Sequence, residues 1–464
     1  MTDEAVSSRE VIAQRTDRAR ELAESLSARG IRAVALSQVD NAGVTRVKTV
    51  PVSLLERAVR FGIGMSPVFE VFMVNDFITS SDEVGGPVGD LRLMPDPFAL
   101  RVLAAQPGWA WAPVDKHTQE GDVYPGCQRT FAKRMVARAR DAGLDLRMSF
   151  ELEWFQGKAD GDDAIPIHTG PAYGLPVLAT VSDPVRDLFA ALEEEGVGVE
   201  QFHPEYALGQ LEISVPPSDP VGAADTTVLV RQTIRAVAAQ HGMRASFSPV
   251  VIPGQVGNGG HVHFSVWRDG KNVFSGGEGP HGMSDVGEAF VAGILAELPA
   301  LVAVGSPSVP SYMRLIPQHW AGAFACWGRE NREAAIRFVT GMVGSRETAA
   351  NTEIKCFDSS ANPYLVAGAV IAAGLVGVEG GMKLPPEVTV DPGGMSEDEL
   401  NAAGIQRLPQ SVDEAVANLE KSDVIRDAMG PVLFSPFVAV RRAEAEAFAE
   451  SEPDEVAAAH RWRY

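Results

Sequence analysis

Cysteine is nearly absent from this 464-residue chain. Its three copies, Cys127, Cys326 and Cys356, are far apart and form no CxxC pair. That excludes a disulfide framework and a thiolate zinc site, and places the expected home of the chain in a reducing cytoplasm. Basic residues are also in short supply, with Lys+Arg 40 against Asp+Glu 61 and a formal net charge of −21. Such a balance argues against nucleic acid or an anionic membrane as partner, while a cationic small ligand is compatible with it. No apolar run reaches the ~18 residues of a membrane span, and the acidic N-terminus MTDEAVSSRE does not read as the basic start of a signal peptide. Neither a Walker phosphate loop nor a dinucleotide glycine fingerprint is present.

What is present reads as a globular protein long enough for two domains, 45% hydrophobic and 22% charged. REVIAQRTDRARELAESLSARG has helical spacing and stops at Gly30. IRAVALSQVDNAGVTRVKTVPV then predicts two strands joined by a turn at Asp40-Asn41-Ala42-Gly43. A Pro/Gly-rich passage from Gly85 to Gly126 follows, and the boundary is placed at Trp111, giving an α+β domain over 1–111 and a second domain over 112–464. Helices are expected at Arg129–Ala142, Asp183–Glu195, Ala223–His241 and Ser284–Val304, and the chain closes on a charged helical end.

Period-two alternation carries the chemistry. In LRMSFELEWF, Leu146, Met148, Phe150, Leu152 and Trp154 share one face and Arg147, Ser149, Glu151 and Glu153 the other. QLEISV sets Glu212 opposite its apolar residues, HVHFSVW does so with His261, His263 and Ser265, and TEIKCF with Glu353 and Lys355. A half-solvated antiparallel sheet would explain any one of these segments. Together, Glu151, Glu153, Glu205, Glu212, His261 and Glu353 supply five carboxylates and an imidazole, and the five anions would repel one another without cations among them. Oxygen-rich ligation of that kind suits Mg²⁺ or Mn²⁺, and two divalent ions suggest phosphoryl transfer. Arg314, Arg329, Arg332 and Arg337 in SYMRLIPQHWAGAFACWGRENREAAIRF could clamp carboxylate or phosphate oxygens, and PGQVGNGGHVHF offers backbone N–H groups to a small ligand.

Through the Asp40–Gly43 turn, PGCQRTFAKRM, FELEW, HPEYALGQLEIS, GNGGHVHFS, SYMRLIP, NREAAIR and EIKCFDSSANPYL, the chain resembles the glutamine synthetase superfamily, bacterial type I and its γ-glutamyl-amine ligase relatives. The resemblance implies an N-terminal β-grasp domain and a guanido-kinase-type catalytic domain on a curved antiparallel sheet. It also implies hexameric rings or double-ring dodecamers with active sites shared between subunits. One metal would be held by Glu153, Glu205 and Glu212, the other by Glu151, His261 and Glu353, with two or three Mg²⁺ or Mn²⁺ per site. Glu200, His263, Ser265, Arg332 and Arg337 match ATP-binding positions, and Asn258, Gly259, Arg314 and Lys355 match those that hold L-glutamate. Asp40, Arg314, Trp320 and Arg332 fall at catalytic positions, Asp40 reaching a neighbouring subunit's site.

Departures from the family pattern bear on the acceptor. Six residues after Arg314, authentic glutamine synthetases carry a glutamate that closes over ammonium, whereas this chain carries Trp320. An indole cannot accept a proton, but its face attracts cations and stacks on alkyl or aromatic groups. Lys355 and Asn351 stand where the family has arginines, and GMKLPPEVTV lacks the tyrosine that type I enzymes adenylylate. The expectation is an ATP-dependent ligase joining the γ-carboxylate of L-glutamate to an organic primary amine, such as a polyamine or ethanolamine, in a pocket that includes Asp40 and Trp320. Its rivals are a true glutamine synthetase and a non-catalytic homologue kept as a structural or binding protein.

Overall fold

The computed structural model describes residues 3–464, with side chains from residue 10 onward, so the side chains of the acidic start lie outside the described residues. Helix α1 (Asp3–Ala28) leads into strands β1 (Ala33–Val39) and β2 (Thr45–Pro51), which form the expected hairpin. Gly43 closes its turn at φ +83°, a conformation glycine adopts without steric cost. Helix α2 (Leu55–Phe61) precedes β3 (Ile63–Met65), β4 (Leu91–Pro95), β5 (Arg101–Val102) and β6 (Trp109–His117). The sheet runs β2-β1-β6-β4-β3, with β1 and β6 parallel at its centre. Ala19 and Leu26 of α1 and Leu55, Ala58 and Val59 of α2 are buried against Val34, Leu36, Leu93, Ala110 and Ala112 of the sheet, which gives this domain its own core.

The division expected after Trp111 falls inside β6. Pro113 is tolerated there because the partner on one edge changes from β5, at Ala110 and Trp111, to β4, at Val114. A missing N–H costs little at such a junction, and the proline carbonyl accepts from Asp96 N–H at 2.9 Å.

The larger sheet comprises β7 (Asp145–Lys158), β8 (Gln201–Pro204), β9 (Gln210–Ser214), β10 (Met243–Ser246), β11 (Gly260–Arg268), β12 (Lys271–Asn272), β13 (Phe324–Arg329), β14 (Ala334–Val339), β15 (Asn351–Ile354) and β16 (Gln406–Arg407). Its order is β16-β13-β14-β15-β11-β7-β9-β8, antiparallel except for the parallel β13/β14 pair. Helices α3 (Gln128–Asp141), α4 (Leu175–Glu194), α5 (Pro220–Gln240), α6 (Asp285–Gly305), the single turn α7 (Ser311–Arg314), the short α8 (Arg346–Ala349) and α9 (Pro363–Gly380) accompany it. Asp219 and Ser284 cap α5 and α6 through their side chains, which sets where those helices start. Helix α4 begins eight residues before the expected Asp183 and carries Pro184 inside it, a residue that sequence reading takes as a helix start.

Helices α6 and α9 are long and apolar enough to cross a membrane, but they are 72% and 78% buried within the protein core. Leu146, Met148, Phe150, Leu152 and Trp154 of β7 pack into that core, so the opposite face of β7 is left for charge. The two domains are joined by Arg129 of α3, whose buried guanidinium donates to Asp115 of β6 at 3.0 Å and to Asp225 of α5 at 2.9 and 2.7 Å.

Candidate active site

Strand register crowds the acidic side chains. Glu151 of β7 pairs with His261 of β11, and Glu153 pairs with Glu212 of β9, which itself pairs with His203 of β8. On the other side, His263 of β11 pairs with Glu353 of β15, and Glu353 with Arg337 of β14. Directly opposed residues hold their Cβ atoms ~5 Å apart, so like charges meet unless something neutralises them. Two donor sets result, each with ligand atoms within 4.8 Å of one another: Glu151, His263 and Glu353, and His203, Glu205 and Glu212. His261 joins the first set, with Nδ1 2.9 Å from Glu151 Oε1 and 3.3 Å from Glu353 Oε1. Glu153 stands between the sets, one carboxylate oxygen 3.6 Å from His261 Nε2. Its other oxygen accepts from Gly259 N–H at 2.7 Å and Gln210 Nε2 at 2.9 Å.

The six expected metal positions therefore converge, and the partition differs in two respects. His203 takes part with Glu205 and Glu212, and His263, expected beside the nucleotide, sits among the donors of the other set. Burial pushes the carboxyl of Glu151 up, but the His261 hydrogen bond and the two imidazoles outweigh it and hold it down at about 2. For Glu212 burial prevails, reinforced by the charges of Glu151 and Glu153 against the His203 hydrogen bond, and its carboxyl is pushed up to about 8. His203 rises to about 9, chiefly through its hydrogen bond to Glu212. Burial again opposes ionisation of Glu353, yet Lys355, both imidazoles and Arg337 hold its carboxyl well below the usual range. His203 Nδ1 and His263 Nε2 are buried without a hydrogen-bond partner among the described residues. Unsatisfied imidazole nitrogens facing carboxylates fit divalent cations with oxygen and nitrogen ligands.

Around these sets stand the other expected residues. Arg314, buried on α7, donates to His261 Nε2 at 3.3 Å and to the carbonyls of Lys355 and Cys356. Asn258 donates to Ser248 O at 2.8 Å and accepts from Gln210, while a side chain at Gly259 would collide with the His261 ring and Arg314 Nη2. Lys355 Nζ lies 3.2 Å from Glu353 Oε1, and Arg337 bridges Glu353 at 3.0 Å and Glu330 at 2.9 Å. Ser265 shares the face of His261 and His263, its hydroxyl oxygen accepting from Trp267 Nε1. Glu200 is exposed just before β8. Arg332 and Trp320 line a cleft of about 490 Å³ together with Glu330, Glu333, Glu387 and Asp391.

Asp40 lies elsewhere. It is 1% exposed, accepting from Arg46 Nε at 2.7 Å and Val44 N–H at 2.9 Å, and burial outweighs Arg46 to push its carboxyl up to about 6. Its turn is held by Asn362, which donates to the carbonyls of Val39 and Asp40, by Arg441 on Asn41 O and by the Tyr464 hydroxyl on Ala42 O. Within one chain Asp40 is not among the residues lining the Trp320 cleft.

Sequence reasoning missed four participants. His203 stands two residues before Glu205 in FHPEY, a ligand-like spacing beside a proline that hides its strand. Gln210 orients Glu153 from the strand that carries Glu212. The Tyr173 hydroxyl donates to Glu205 Oε2 at 2.7 Å from an irregular segment that shows no periodicity. Glu333 accepts from Trp320 N–H at 2.7 Å and sits inside NREAAIR, where the arginines draw attention.

Residues 125–459 match the family described as glutamine synthetase, catalytic domain, and residues 18–122 the glutamine synthetase N-terminal domain. The chain is 51% identical over 451 residues to the gamma-glutamylpolyamine synthetase of Streptomyces coelicolor, covering 97% of each. It is 33% identical to the glutamine synthetase of Halobacterium salinarum, covering 92% of this chain and 93% of that one. A solved glutamine synthase homologue superposes with TM-score 0.84 at 31% identity, over 94% of this chain and 99% of the other. The GmaS/ADP complex superposes with TM-score 0.82 at 28% identity, over 94% and 97%.

Proposed function

The chain belongs to the glutamine synthetase family, and on that premise we propose that it joins the γ-carboxylate of L-glutamate to one amine of a polyamine at the expense of ATP. Its 51% identity to a gamma-glutamylpolyamine synthetase supports this acceptor class. The observation that carries the reading is Trp320, in a cleft rich in carboxylates, at the position where ammonium-using relatives carry a glutamate. All six expected metal positions are filled and brought together, which weighs against a non-catalytic role.

Arg314, Asn258, Gly259 and Lys355 line the place assigned to glutamate, beside the donor sets. ATP is assigned to Glu200, His263, Ser265, Arg332 and Arg337. A glutamate γ-oxygen attacks the γ-phosphorus, the bond to the β-phosphate oxygen breaks, and ADP leaves. Attack of the amine nitrogen on the γ-carbonyl carbon then forms the C–N bond, expels phosphate and releases a proton, which the departing phosphate can take. Bound Mg²⁺ or Mn²⁺, held by Glu151, Glu153, Glu205, Glu212, His261 and Glu353 with His203 and His263, would neutralise the phosphate oxygens. Arg337 would add its charge to theirs on the transferring group, since Glu353 and Glu330 fix its guanidinium in place. Ring assembly and a cytoplasmic home complete the proposal.

The test is phosphate release from ATP with glutamate and a panel of polyamines, ethanolamine, monoamines and ammonium. A polyamine should be the best acceptor. Ammonium as the best acceptor would sink the amine-ligase reading, and no turnover with any acceptor would favour a non-catalytic protein.

A further inference from the structure

The carboxylates in the Trp320 cleft are not equivalent. Glu330 pairs with Arg337 at 2.9 Å, Glu387 accepts from His281 Nε2 at 2.7 Å and Arg329 N–H at 2.8 Å, and Asp391 accepts from Gly393 N–H at 2.7 Å. Glu333 differs from all three. It is 6% exposed, Oε1 accepts the Trp320 N–H, and Oε2 is buried with no donor among the described residues. Burial, with the neighbouring Asp391 charge, outweighs the Trp320 and Gln318 N–H groups and pushes its carboxyl above the usual range.

Its surroundings suggest which counter-charge it receives. Trp320 is 60% exposed at φ +54°, a left-handed conformation rare for a bulky residue, which presents the indole at the cleft. The loop that follows packs onto the metal strand, since a Cβ at Gly322 would lie 3.1 Å from Lys355 Cβ. The Lys355 ammonium, which acts electrostatically on Glu333, is bound to Glu353. A buried carboxylate with one satisfied oxygen beside an aromatic face is suited to an alkylammonium group.

Building on the amine-ligase reading above, we propose that Glu333, with Trp320, seats the distal ammonium of a diamine or polyamine acceptor while its other amine reacts. The charge selects acceptors with a second cation, and the indole covers the methylenes between the two nitrogens. Four acids against two arginines in the cleft lining keep it net negative despite Arg329 and Arg332.

Steady-state kinetics of the full-length enzyme with 1,4-diaminobutane and with n-butylamine, as substrate or competitive inhibitor, test this. Glu333→Gln keeps an oxygen for the Trp320 N–H and removes the charge. It should raise KM for the diamine at least tenfold, leave kcat near wild type, and leave the KM or inhibition constant of butylamine unchanged. Glu333→Asp, with the charge kept on a shorter arm, should recover part of the discrimination. An equal change for both amines, or none for the diamine, overturns the proposal while leaving the ligase reading intact. A wild-type enzyme that uses ammonium but neither amine overturns both.

Discussion

Two acid-rich regions share the catalytic domain, and they are built on different principles. The donor sets lie on strands β7, β8, β9, β11 and β15, where pairing alone dictates which charges face each other. The Trp320 cleft is formed by loops and strand ends, including two residues with left-handed backbone, Trp320 and Glu330. In the first region the sheet itself positions the carboxylates and imidazoles, which in the proposed function serve the reaction common to the family. In the second, side chains sit on loops and strand ends, and there Trp320 departs from the family pattern. On the proposed function, phosphoryl transfer and acceptor choice should therefore be separable by mutation.

The largest expected effect breaks the first region alone. Glu153→Ala removes a carboxylate between the two sets, and turnover should fall by roughly 100-fold or more with every acceptor, equally for polyamine and ammonium. A loss confined to one acceptor would mean that the two regions are not separable. Trp320→Glu acts on the second region. It should raise the kcat/KM ratio of ammonium to polyamine by about tenfold, the worth of one favourable charge contact, with little change in dependence on ATP. An unmoved ratio would show that the cleft does not read the acceptor.

Metal binding should appear in stability before it appears in rate. Mg²⁺ or Mn²⁺ at about 100 times its dissociation constant should stabilise the protein by about 2.7 kcal/mol, read as a rise in Tm that EDTA reverses and that Glu153→Ala diminishes. The smallest effect comes from a carboxylate outside both regions. Glu195 accepts from Ala104 N–H and Thr233 Oγ1, and burial pushes its carboxyl from 4.5 up to about 7. The folded state therefore holds a proton that the unfolded chain has released between those pH values. Its contribution to stability is complete below pH 4.5 and lost as pH rises through about 7. Glu195→Gln should flatten that part of the Tm–pH curve and leave acceptor preference untouched.

Much of the first region was legible in the sequence because alternation with period two survives in β7, β9 and β11. Leu152 and Glu153 could be assigned to opposite faces without coordinates, and the structure has Leu152 in the core and Glu153 at the donor sets. What alternation could not supply is pairing between strands. His203 became visible only when β8 was seen beside β9, because Pro204 and the short strand leave no periodic signal. The second region was hardly legible. Trp320 was noticed only against the family pattern, and Glu333 was hidden, since nothing in NREAAIR tells that its carboxylate folds back onto Trp320. The boundary placed at Trp111 cuts through β6, and the change of strand partner that shelters Pro113 could not be read from the sequence because it depends on where β4 and β5 end. Arg46, which holds Asp40 in an ion pair, likewise gave no signal from six residues along the hairpin.

Gly259 draws a limit around the first region. With Glu153 bonded to its N–H and His261 and Arg314 packed where a side chain would begin, any other amino acid must displace the imidazole, the guanidinium or the backbone itself. A Cβ there would therefore disturb two expected site residues at once. The cleft, by contrast, can be rewritten residue by residue. On the proposed function, substitutions in the cleft would change the amine, whereas a Cβ at Gly259 would reach the phosphate chemistry through His261 and Arg314.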